Sequence, residues 1–145
     1  MIHVYRLVKR KCLPQAFDGE AARLHGGRWN SQGSACVYCA GSRSLAMLEA
    51  LLQLGNAGVT QHYALLELEI PRHHILNARG DTLPPDWRDH PAPPSAAAFG
   101  DAWLASGQSL ALAVPSAIVP HEFNYLLNAL HPAFPAIAAL ARESE

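Results

Sequence analysis

Three stretches of this chain carry side chains with the charge and reach to do chemistry. The first is Gly26-Gly27-Arg28-Trp29-Asn30-Ser31-Gln32-Gly33. Its paired glycines permit close backbone approach, and Arg28 offers a planar guanidinium suited to phosphate or carboxylate. A surface turn with Arg28 in a structural ion pair fits the same residues. The run is no P-loop, because GxxxxGK[ST] is absent, and no dinucleotide fingerprint, because GxGxxG is absent. The second is Glu49, whose neighbours three and four positions away on a helix are Leu45, Ala46, Leu52 and Gln53. An acid on so apolar a surface needs a partner or a task. It is either an ion pair with Arg28 or Arg43, or a carboxylate placed to hydrogen-bond a ligand or to face a developing positive charge. The third is Tyr38, which by itself reads as core filling with its hydroxyl at the rim.

Tyr38 lies inside Cys36-Val37-Tyr38-Cys39, a spacing that invites redox and half-zinc-site readings. A closed zinc site needs a second ligand pair, and no HxxxH spacing supplies one, so no metal is expected. Val-Tyr within an apolar run reads as strand, where residues three apart point to opposite faces. These cysteines are therefore expected to be buried and structural.

The elements that must position these groups follow from periodicity. Residues 2–7 alternate as a first strand, and 9–33 form a long loop without sustained periodicity, a length that commonly signals function. Residues 36–40 read as a strand. Ser42 caps a helix to about residue 54, with Gly55 as its stop and Leu45, Leu48 and Leu52 on one stripe. In 63–70, Ala64, Leu66, Leu68 and Ile70 alternate with Glu67 and Glu69, the pattern of a half-exposed strand ending at Pro71. Residues 80–94 hold Pro84, Pro85, Pro91, Pro93 and Pro94 and read as an ordered surface excursion anchored by Trp87. A helix is expected over 96–106, strands over 110–114 and 117–119 separated by Pro115-Ser116, and a helix over 136–142 after Pro135.

Composition bounds the rest. With 145 residues, 50% apolar and 16% charged, the chain suffices for one domain, residues 1–145, with a real core. A formal charge of −1 gives no overall positive field to gather nucleic acid, and Lys9-Arg10-Lys11 reads as a solvated strand end. No signal-peptide pattern opens the chain, and the nearly apolar stretch 109–120 is too short and Pro-interrupted to span a bilayer. A cytoplasmic protein without membrane contact is expected.

Taken in order, Tyr5-Arg6, the 26–33 run, Val37-Tyr38-x-Ala40, Ser44-Leu45-Ala46-x-Leu48-Glu49, Val114-Pro115-Ser116 and Glu122-Phe123-Asn124-Tyr125-Leu126-Leu127-Asn128 are similar in spacing to the RES domain. The likeness spans nearly the whole chain. One departure is Ala129-Leu130 before His131, where the family leads one to expect Asn-Pro; it touches local turn geometry only. The Arg, Glu and Ser that name the family correspond to Arg28, Glu49 and Ser116.

The resemblance implies a compact mixed α/β (α+β) domain like that of ADP-ribosyltransferases, with two small sheets framing an NAD cleft. It implies that Arg28, Tyr38 and Glu49 line the nicotinamide end, that Arg28 grips the diphosphate or the adjoining ribose, and that Ser116 hydrogen-bonds the dinucleotide from the opposite wall. Gly27 joins this binding set. NAD is then substrate, no further cofactor being required. Cleaving its nicotinamide–ribose bond passes through an oxocarbenium-like state that a carboxylate stabilises, and nicotinamide leaves neutral without a general acid. Water, phosphate or a protein side chain is the acceptor, giving hydrolysis, phosphorolysis or mono-ADP-ribosylation. A non-catalytic nucleotide-binding module is the alternative. Asn124 and Tyr125 read as structural, holding the late loop. The resemblance further implies a toxin that arrests growth, a cognate Xre-like helix-turn-helix antitoxin, DNA contact only through that antitoxin, and a homodimer contact within the complex.

Overall fold

The computed structural model describes residues 1–54 and 62–144. The chain runs β1 (Ile2–Lys9), α1 (Glu20–His25), β2 (Val37–Ala40), α2 (Arg43–Leu54), β3 (Tyr63–Ile70), β4 (Ile75–Asn77), α3 (Pro94–Ser106), β5 (Ala111–Pro115), β6 (Phe123–Leu127), α4 (Phe134–Ala138) and β7 (Arg142–Glu143). The two alternating segments find each other: β1 and β3 pair antiparallel along their full length, from Ile2 opposite Ile70 to Lys9 opposite Tyr63.

Among the described residues the strands join one seven-stranded sheet of order β4-β5-β6-β2-β1-β3-β7. This corrects the expectation of two small sheets, while the mixed α/β character stands. Yet the join between the halves is slight. A single registered pair, Tyr5 opposite Ala40, links β1 to β2, whereas β2 meets β6 through four pairs and β5 meets β6 through five. Ala40 is the last residue of β2; from that pair β1 runs on toward Lys9 without registered partners on β2, and a cleft opens along that side of the seam.

Burial follows the alternation. Val4, Val37, Leu68, Ile70, Leu110, Leu127 and Phe134 form one core cluster, and Trp29, Leu112, Val114, Leu126 and Trp103 form another beneath α3. Helix α3 starts at Pro94, where a missing N–H costs nothing, and ends at Gly107 with φ +63°, a left-handed cap that suits glycine. Helix α2 starts as expected, the Ser42 hydroxyl accepting the Leu45 N–H at 3.1 Å. The Gly55 stop lies outside the described residues. Of the proposed stripe Leu45 is buried, but Leu52 is 61% exposed and overhangs the cleft.

Other expectations change. Residues 9–33 contain a 3-10 turn (Arg10–Gln15) and α1 as well as loop. Each is six residues long, too short for a 3.6-residue period to show. No strand forms over 117–119, because the Ser116 hydroxyl accepts the N–H groups of Ile118 (3.1 Å) and Val119 (3.0 Å) and curls the backbone. The last helix stops at Ala138, and residues 142–143 pair with β3 instead. There Glu67, buried on β3, takes Arg142 at 3.0 Å, Arg43 at 3.2 Å and His3 at 2.8 Å. Capturing that acid outweighs one more helical turn, since a buried carboxylate without partners is costly.

Candidate functional site

The seam cleft encloses about 1110 Å³ and is lined from both halves, by Arg6 of β1, Gly27 and Arg28 of the glycine-rich turn, Tyr38 of β2, Glu49 of α2 and Asn124 of β6. That volume sits at the upper end of small-molecule sites and suits an extended ligand. Arg28, Tyr38, Glu49 and Gly27 are thus brought together from positions that lie 22 residues apart along the chain.

The turn that carries Arg28 is built on aromatic packing. Trp29 is 2% exposed, stacked on Trp87 with centroids 6.1 Å apart and edge-on to Phe99 at 5.9 Å. This fixes the 80–94 excursion on the turn, as Trp87 led one to expect. Arg28 completes the attachment: its Nη1 donates to the carbonyls of Trp87 (2.9 Å) and Asp89 (2.8 Å), and its Nη2 to Nδ1 of His90 (2.9 Å). A guanidinium only donates, so His90 must accept there and carry its proton on Nε2. No carboxylate pairs with Arg28 among the described residues. The ion-pair reading therefore gives way to a positive charge held rigidly at the cleft by neutral acceptors.

Tyr38 is tied down from the other side. Its hydroxyl donates to Oδ1 of Asn30 (2.7 Å) and accepts the Trp29 N–H (2.9 Å), while burial pushes its pKa well above the ordinary tyrosine value. It therefore stays a neutral phenol that pins the turn. Gly27 is explained by the same contact. A Cβ there would stand 2.7 Å from the Tyr38 hydroxyl and 2.8 Å from Asn30 Oδ1, so the close approach the glycine permits is made by Tyr38.

Glu49 faces the cleft from the middle of α2. Burial raises its pKa above the usual carboxylate value, opposed by a hydrogen bond from Asn124 and by the charge of Arg28. Asn124 Nδ2 donates to Glu49 Oε2 and is the carboxylate's side-chain partner among the described residues. Neither Arg28 nor Arg43 forms an ion pair with it; Arg43 is spent on Glu67. Among the described residues the other carboxylate oxygen takes no side-chain partner, and it stands beside an open cleft.

Ser116 is placed elsewhere. It is 1% exposed, its hydroxyl caps the 117–119 turn, and its backbone N–H donates to Glu122 O at 2.8 Å. The cleft wall at this point consists of Ala117 and Ile118, so Ser116 shapes that wall from behind. Cys36 and Cys39 are buried and free, each pushed up to about 12 by burial, which leaves them inert thiols. Among the described residues His3, Glu67 and Glu69 bring metal-ligand types together, but Arg43 and Arg142 already occupy Glu67.

Two cleft residues had no assigned site role in the sequence reading. Arg6 donates from Nε to Ala16 O (2.7 Å) and from Nη1 to Tyr38 O (2.8 Å), bridging the seam. A cation amid the apolar residues of a strand was the available signal. Asn124 sits between Phe123 and Tyr125 in an aromatic strand, and its pairing with Glu49, 75 positions earlier, leaves no trace in local pattern.

Comparison with known proteins bears on this geometry. A protein from Yersinia enterocolitica named "Toxin Res" is 40% identical over 131 residues, covering 90% of this chain and 86% of its own. One from Sphingobium sp. named "Prs ADP-ribosylating toxin" is 41% identical over 118 residues, covering 79% and 73%. In three dimensions the chain is similar to one in the crystal structure of the M.tuberculosis MbcT-MbcA toxin-antitoxin complex. The TM-score is 0.69 at 18% identity, with 99% of this chain and 81% of the other covered, which is a likeness of fold. The RES domain pattern itself matches residues 3–145, and the chain belongs to the RES domain family.

Proposed function

We propose that this chain is the toxin of a toxin–antitoxin pair and that it breaks the nicotinamide–ribose bond of NAD. The observation that carries the reading is Glu49: a part-buried carboxylate at the wall of a cleft roomy enough for a dinucleotide, held through one oxygen by Asn124 and facing no cation at ion-pair distance among the described residues. As the bond between ribose C1′ and the pyridinium nitrogen breaks, its electron pair leaves with nicotinamide, which needs no proton. Positive charge then develops on the ribose, and the ionised Glu49 stabilises it while accepting a ribose hydroxyl. Arg28 and Arg6 bring positive charge to a cleft that has to take a diphosphate. Tyr38 supplies a flat, neutral wall beside them. Water as acceptor loses a proton to solvent and gives ADP-ribose.

Transfer to a protein side chain is the second reading, favoured by the similarity to the relative named for ADP-ribosylation. The reading extends to a cytoplasmic toxin whose growth arrest is relieved by a cognate antitoxin with an Xre-like helix-turn-helix. DNA contact then comes through that partner, with a homodimer contact within the complex. A formal charge of −1 on this chain agrees with leaving DNA to the partner.

The test incubates purified protein with NAD alone, with added phosphate, and with cell extract, following nicotinamide release and the fate of ADP-ribose. Release in buffer alone is expected. NAD that binds without releasing nicotinamide in any of the three mixtures would make the cleft a nucleotide-binding module instead.

A further inference from the structure

Asn124 is locked into the sheet by both neighbours. Its backbone stands opposite Ala40 on β2 and opposite Val114 on β5, and one residue earlier Phe123 O accepts the Gly41 N–H at 2.9 Å. In an antiparallel ladder directly opposed residues share a face, so Asn124 projects on the same side as Ala40, and with Leu126 and Tyr38. A rigid three-strand platform thus aims an amide at the acid of α2, an element that otherwise meets the sheet through Leu45 and Ala46 against Tyr5 and Ala40.

We propose that Asn124 is a positioning residue: from β6 its amide nitrogen fixes one oxygen of the Glu49 carboxylate and leaves the other to take a ribose hydroxyl. The assignment rests on the role given above to Glu49. An amide meets the requirement at this position where a charged or aliphatic side chain does not. A lysine or arginine would neutralise the negative charge that the developing cation needs, and an acid would compete with Glu49 for a proton. An aliphatic residue would leave only the charge of Arg28 to oppose burial, which favours the neutral form of the carboxyl. The amide donates without adding charge, holding one rotamer of Glu49 and supporting its ionised form.

The test uses Asn124→Ala and Asn124→Asp in the full-length protein. With NAD as substrate, Asn124→Ala is expected to lower kcat about 10- to 100-fold with KM little changed. The acidic limb of its pH profile is expected to move upward by about one pH unit. Asn124→Asp is expected to move that limb further, since two carboxyl groups at hydrogen-bond distance share a proton. A carbon-13 NMR titration of the Glu49 carboxyl, with Glu49→Gln identifying the signal, reads the same shift without reference to catalysis. An upward move of the Glu49 titration in both variants supports the assignment even if the wild-type protein leaves NAD intact, in which case the proposed reaction fails and the positioning stands. Folded variants in which neither the Glu49 titration nor the pH limb moves overturn it.

Discussion

Tyr5 on β1 and Ala40 on β2 form the single registered pair through which the two halves of the sheet meet. Around that pair β1 leans toward β3, with which it shares eight pairs, and β2 toward β6, with which it shares four. Arg6, next to Tyr5, spans the widening gap to the Tyr38 carbonyl. The cleft is therefore a consequence of strand pairing, and the glycine-rich turn and α2 complete its walls.

Glu49 is expected to cost stability in exchange for function. Its pKa is raised in the folded state, chiefly by burial, so folding favours the neutral form. Below the ordinary carboxylate range both folded and unfolded chains are protonated and no cost arises; the cost appears as pH rises toward and through the folded-state value, and persists at neutral pH. Glu49→Gln should accordingly abolish NAD loss and raise Tm at pH 7, with the gain in Tm vanishing below pH ~3. Undiminished NAD loss by a folded Glu49→Gln protein ends the catalytic assignment.

Arg28→Ala should act on ligand binding and on the excursion together. It removes donors from the carbonyls of Trp87 and Asp89 and from His90, so the loop loosens and the Trp87 emission shifts to the red. The efficiency of NAD turnover should fall about 10- to 100-fold, mainly through KM. Arg28→Lys should fail to restore it, because an ammonium cannot reach three diverging acceptors at once. Kinetics equal to wild type would leave Arg28 a loop fastener alone.

Tyr38→Phe separates pinning from chemistry. It strips the acceptor from the Trp29 N–H and the donor from Asn30, both buried, at an expected cost of about 1–3 kcal/mol. Tm should fall, and kcat should suffer far less than in Glu49→Gln. A collapse of kcat with Tm unchanged contradicts the pinning role.

Ser116→Ala should weaken the 117–119 turn by about 0.5–2 kcal/mol, since two backbone N–H groups lose their acceptor. KM for NAD should hold. A raised KM with an unaltered melting curve would put Ser116 on the substrate after all.

What the sequence by itself determined is the local and the repetitive. Residues 63–70 show their strand because apolar residues alternate with Glu67 and Glu69, and Ser42 marks a helix start because capping is chemistry within one turn. The Gly26–Gly33 run and Glu49 stand out because glycine pairs and an acid on an apolar helix face are anomalous without tertiary support. Only the tertiary structure decided what those groups do to one another. That Gly27 makes room for Tyr38, that Arg28 is bound by three neutral acceptors, that Glu49 is met by Asn124 rather than by an arginine, and that Ser116 turns away into its own loop are contacts between strands and loops far apart in sequence. The same holds for the last residues, where helical pattern predicted a helix and the buried charge of Glu67 drew Arg142 into a strand. Local pattern records which face a residue presents; which partner waits there depends on strand order and register, and a single registered pair between β1 and β2 set both the shape of the cleft and the company each side chain keeps.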